Sequence, residues 1–149
     1  MKCVLLFTVM LTSVAGRSQI EIKKKEPKVI MGTIKVVGSI QAQLYYRIVE
    51  EDTLYTLLFR NQEYQQLVDY SSVTFSAEDN TLKKLYDILK SVFTEENKKN
   101  KEYKVKLKLG ETEVIISNFR IMGGTSVMFF TSDGYITLTE KQVDKLFGI

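Results

Sequence analysis

Acid–base or nucleophilic chemistry in this chain has to come from carboxylates, tyrosines and lysines. The sequence holds 18 Asp and Glu, 21 Lys and Arg and eight Tyr, but no His and no Trp, and its one Cys is Cys3. A His-dependent triad, a Cys–His nucleophile, a Cys/His zinc site and a His-ligated haem are excluded by composition. Two carboxylates suffice for glycoside hydrolysis, so a hydrolase of that kind survives, although the missing residue types weigh against catalysis. The acids gather at Glu50-Glu51-Asp52, Glu78-Asp79 and Glu111/Glu113. Each group falls in an expected turn or cap, where acids are common for structural reasons, and none has the spacing of a metal site. Gly123-Gly124-Thr125-Ser126 comes nearest to a phosphate loop, yet no Lys and helix follow it, so it reads as a hairpin turn. No catalytic residue, metal or cofactor is assigned.

The single thiol sits in a leader-like segment. Met1-Lys2 is followed by thirteen uncharged residues, 3–15, and then by Ala15-Gly16-Arg17-Ser18-Gln19. That is the order of a secretory signal, and the apolar run is shorter than the roughly 20 residues that span a bilayer. We expect a cleaved signal peptide over residues 1–19, with cleavage favoured after Gln19, and no stable membrane anchor afterwards. A lipid-bearing Cys would end the apolar run, whereas Cys3 begins it. Lys2 and Arg17 leave with the signal, so the 21 basic residues become 19 against 18 acidic and the net charge falls from +3 to +1. Such a chain lacks the basic footprint of a nucleic-acid binder. A small exported domain without disulfides points to a bacterial envelope protein, periplasmic or secreted, rather than to a multicellular organism.

The elements that must position any site follow from periodicity. Residues 20–28, with Lys23, Lys24, Lys25 and Lys28 among Glu21 and Glu26, read as a charged solvated tether, and residues 29–149 as one α+β domain. A period of two puts Ile30, Ile34 and Val36 on one face of a first strand. Ala42, Leu44, Tyr46 and Ile48 do the same in a second, and Tyr55, Leu57 and Phe59 in a third. Residues 62–69 read as a polar connection, and Val73 and Phe75 mark a fourth strand. Ser76, three residues before Asp79, is expected to cap a helix carrying Leu82, Leu85, Tyr86, Leu89, Val92 and Phe93. Residues 95–101 read as a loop. A hairpin then carries Tyr103, Val105, Leu107 and Leu109 through Gly110-Glu111, with further turns at Gly123-Gly124 and Ser132-Asp133-Gly134. Thr139 with Gln142 is a capping box opening a short last helix through Val143, Leu146 and Phe147.

The two halves finish alike: Val73-Thr74-Phe75-Ser76-Ala77-Glu78 matches Ile136-Thr137-Leu138-Thr139-Glu140-Lys141 in residue type. The order is therefore β-β-β-β-α twice. Strand followed by capped helix is a common local solution, so coincidence is preferred to duplication as its cause. The predicted architecture is antiparallel meander sheet with one long and one short C-terminal helix on one face. The other face carries a mixed row, and Tyr45, Arg47, Leu58, Arg60, Phe119, Phe129 and Tyr135 form the candidate binding face. An exposed row of this kind marks a contact site. The competing and favoured expectation is that the sheet curls or splits, so that both faces help to fill the core. Lys98, Lys99 and Lys101 with Lys104, Lys106 and Lys108 read first as the wet face of an edge strand and second as a contact for an anionic lipid or polysaccharide. The function read from this layout is a non-catalytic module binding another envelope protein or a small ligand through its sheet face or hairpin tips. The alternatives are a carboxylate-dependent hydrolase of envelope carbohydrate and a structural component of a surface assembly.

Overall fold

The computed structural model describes residues 26–64 and 66–149; the expected signal peptide and most of the tether lie outside them. Alternating residues produce two antiparallel meanders. Strands β1 (Val29–Val36), β2 (Ser39–Val49), β3 (Asp52–Arg60) and β4 (Tyr70–Ser76) form sheet A in sequence order. Strands β5 (Lys104–Leu109), β6 (Thr112–Ile121), β7 (Gly124–Thr131) and β8 (Gly134–Leu138) form sheet B. Helix α1 (Thr81–Ser91) and the short α2 (Glu95–Lys99) join the sheets, and α3 (Glu140–Phe147) follows β8. The doubled ββββα order is present, with α2 added between the halves.

Register explains which side chains turn inward. Ala42 faces Phe59, Leu44 faces Leu57 and Tyr46 faces Tyr55, while Leu57 and Tyr55 also face Val73 and Phe75 on β4. In sheet B, Ile116 faces Phe129 and Phe129 faces Ile136. The inner rows of the two sheets meet where the Phe59 and Phe129 rings pack edge to face, centroids 5.8 Å apart. Leu85 and Leu89 of α1 and Val143, Leu146 and Phe147 of α3 complete the same buried cluster. Each fully buried Leu or Phe contributes roughly 1.5–3 kcal/mol relative to exposure, so these rows hold the sheets together.

Helix α3 lies against β1, and Gly32 is what lets it approach. A Cβ at that position would overlap the carbonyl oxygens of Lys145 and Leu146. At the other seam, the β5–β6 turn at Gly110 abuts the Thr74 carbonyl, and Gly134 abuts the Asn61 side chain.

Five local expectations are corrected. A bulge between Ile30 and Gly32 turns Met31 toward the core and leaves Ile30 exposed, and a second irregularity after Ile34 leaves Val36 exposed. Ser76 does not cap α1. The chain continues through a 3-10 turn at Glu78–Asn80 in which Asp79 and Asn80 take φ of 53° and 56°, a conformation Asp and Asn tolerate, and Asn80 precedes the helix. Residues 95–99 of the expected loop are helical because Thr94 accepts from the Asn97 N–H and acids precede lysines along the turn. The β6–β7 hairpin turns at Met122-Gly123, not Gly123-Gly124. Phe129 points inward, as described below. The Thr139–Gln142 capping box forms as the sequence predicts.

Candidate functional site

The seven candidate residues separate into three places. Tyr45, Arg47 and Leu58 share the outer face of sheet A, with Tyr45 opposite Thr56 and Leu58 opposite Gln43. This face pairs several of its polar groups with one another, although Arg47 Nε is buried with no hydrogen-bond partner among the described residues. Lys28 donates to Gln43 Oε1 at 3.0 Å, Gln43 donates onward to Thr33, and Thr56 and Thr74 share a hydroxyl hydrogen bond. The Lys28 ammonium also sits 4.7 Å from the centre of the Tyr45 ring, a cation–π contact. The end of the expected tether thus folds back on the sheet, and Gln43 and Thr56 are buried. Glu26, Pro27, Lys28, Tyr45 and Arg47 enclose a cleft of about 410 Å³.

Arg60 ends β3 in a polar recess with Gln41, Asn61, Gln62 and Thr137. Here side chains clasp the two sheets together. Asn61 Nδ2 donates to the Asp133 carbonyl, and its Oδ1 accepts from the N–H groups of Glu63 and Tyr135. Gln62 Oε1 accepts from both the backbone and hydroxyl of Thr137, and the Gln62 N–H donates to the Tyr135 carbonyl. Buried polar groups with full partners of this kind fix one arrangement of the sheets.

Phe119 and Tyr135 lie on the outer face of sheet B. Cross-strand pairing aligns Lys106, Ile115, Phe130 and Tyr135 in one row. Phe119 and Phe130 are each 40% exposed. A groove of about 600 Å³ runs between Lys106, Lys108, Glu113, Ile115, Phe130 and Ser132. Phe129 does not belong to this face: it is fully buried against Ile116 and Ile136. Its neighbour Phe130 takes the outer position, a functional candidate that alternation missed because two adjacent Phe residues look alike until the partner strand sets the register. The hairpin tips also expose apolar side chains, Val37 and Met122, both at positive φ.

No family model, curated protein or solved structure matches this chain.

A fourth cluster is charged and lies between helices. Lys90 Nζ pairs with Glu140 at 2.8 Å and with Asp144 at 2.9 Å, and Tyr86 donates to Asp144 at 2.9 Å. The hydrogen bond from Lys90, followed by that from Tyr86, holds the Asp144 carboxyl below its ordinary range. Desolvation opposes the charge on Lys90, but its bonds to Glu140 and Asp144 prevail and raise its pKa. The bond to Asp144 is also the leading cause of the raised Tyr86 pKa. A general acid for glycoside hydrolysis needs a raised carboxyl, so Asp144 moves the wrong way, and its partners make this cluster an α1–α3 tie. No group of three metal-ligating side chains occurs among the described residues. No helix among them is long and apolar enough to cross a membrane.

Proposed function

We propose that the protein is an exported, non-catalytic binding module of the bacterial envelope or periplasm, and that it contacts another protein through the outer face of sheet B. The observation that carries this reading is the pair Phe119 and Phe130, each 40% exposed on the solvent face of sheet B. Aromatic side chains held out on a rigid sheet keep their unfavourable hydration until a partner covers them, and such anchors dominate interface energetics. Ile115 and Tyr135 flank Phe130 in one cross-strand row that ends at Lys106 of β5, and Phe119 stands further along β6 on the same face. The hydrogen bonds among Lys28, Gln43, Thr33, Thr56 and Thr74 occupy much of the outer face of sheet A and make it the weaker candidate.

Capture from an envelope extract tests the reading, comparing the wild type with Phe119→Ser/Phe130→Ser. Both positions are surface-exposed, so urea unfolding should show a loss under about 1 kcal/mol per site. The reading requires a protein that the wild type retains and the folded double variant releases. Equal capture by both removes the outer face of sheet B as the contact surface.

A further inference from the structure

β5 hydrogen-bonds to β6 on one side and, among the described strands, has none on the other. Lys104, Lys106 and Lys108 stand exposed on its outer side at every second residue, about 6.8 Å apart along the strand. Their cross-strand neighbours are Ser117, Ile115 and Glu113, so only Lys108 faces an acid on β6. Its ion pair with Glu111, at 3.4 Å, lies in solvent. On the inner side, Val105 and Leu107 are only half-buried, whereas Val114 and Ile116 on β6 are fully covered. Among the described residues, the same strand therefore has no hydrogen-bonded strand on its outer edge and no acid opposite Lys104 or Lys106. Its inner side chains, Val105 and Leu107, pack against the core but stay partly exposed.

We propose that β5 accepts an extended segment of the partner protein as an added strand. Acidic residues at alternate positions of that segment face Lys104, Lys106 and Lys108, and apolar residues between them cover Val105 and Leu107. This names the partner chemistry of the face proposed above and rests on that reading. Strand addition supplies backbone hydrogen bonds, and the alternating side chains supply specificity. A second copy of β5 does not fit. Antiparallel self-pairing about Lys106 sets Lys106 against its own copy and Lys104 against Lys108, and directly opposed like charges destabilise a ladder. The lysines that repel indiscriminate strands thus select an acidic one.

The test uses a labelled peptide of alternating Glu and Val, beside a peptide of identical composition with its Glu residues in one block. Anisotropy should show the alternating peptide binding at least about tenfold more tightly, and Lys104→Glu/Lys106→Glu should weaken it by at least about tenfold. The bound peptide should slow hydrogen exchange at β5 amides. Equal affinity for the two peptides overturns strand addition in favour of simple charge attraction. Insensitivity to the lysine reversals, or lysine-dependent binding to phosphatidylglycerol vesicles without peptide binding, also overturns it. Peptide failure with Phe-dependent extract capture intact removes strand addition alone. Failure of both removes the contact face as well.

Discussion

Replacing Asn61 should loosen the junction of the two sheets by a calculable amount. The side chain is 1% exposed and makes three hydrogen bonds, to the Asp133 carbonyl at 3.1 Å and from the Glu63 and Tyr135 N–H groups at 2.9 and 3.3 Å. In Asn61→Ala the Asp133 carbonyl keeps the Ser71 hydroxyl at 3.0 Å, so its loss is small. The two N–H groups lose their acceptor, at about 1–3 kcal/mol for each that stays buried. Glu63 is exposed and water replaces its partner, whereas Tyr135 is half-buried between strands. The expected cost is therefore about 2–3 kcal/mol, carried chiefly by Tyr135. Urea unfolding followed by circular dichroism should show the midpoint falling by about 1–2 M at unchanged slope. Asn61→Asp separates the donor from the acceptors: it keeps both N–H partners but turns a carboxylate on the Asp133 carbonyl, and should destabilise at neutral pH as well. A loss below about 0.5 kcal/mol in Asn61→Ala would refute the clasp as an energetic feature of the junction.

Asp144→Asn should remove acid sensitivity. Because the Asp144 carboxyl is depressed in the folded protein, its contribution is present above its unfolded pKa, near about 4, and is lost as pH falls through the lower folded value. After discounting for partial exposure, the variant should lose about 1 kcal/mol at neutral pH, and its deficit should vanish in strong acid. Urea midpoints across pH decide this, and a pH-independent deficit contradicts it. Gly32→Ala should cost about 3 kcal/mol or more, since the added carbon meets helix backbone rather than a movable side chain. Gly38→Ala has open space around it and should lose only about 1 kcal/mol, for its φ of 80°. Similar midpoints for the two variants would show that α3 does not sit tightly on β1.

The regular parts of this fold were legible wherever one residue type alternated cleanly. Tyr55, Leu57 and Phe59 could face only one way, and Leu85 and Leu89 fall on one helical stripe. The favoured expectation was a sheet that curls or splits so that both faces help to fill the core. The strands do divide into two sheets, but sheet B keeps an exposed outer face, and the seam between the sheets was not readable. It depends on Gly110, Gly134 and Asn61, whose roles appear only when distant segments meet. Ile30 and Phe129 were misplaced for a related reason, since a bulge in one strand shifts the parity on which alternation depends and a doubled Phe in another leaves it undetermined. The candidate face fared unevenly. Phe119 and Tyr135 stand on the exposed side of sheet B. Tyr45 and Arg47 lie beneath a returning chain whose Lys28 contacts could not be inferred from a run of charges.

The packing of α3 on β1 sets an order on assembly. Gly32 meets residues 145 and 146, so the first strand waits for the last helix before its inner side is covered. Neither meander can finish alone, and contacts this distant in sequence slow folding because the loop between them must close first. A chain cut short before Thr139 lacks Val143, Leu146 and Phe147 and leaves the interior open along β1. Closure of the core along β1 thus waits on α3, and a product truncated before that helix betrays itself by the apolar surface it cannot hide.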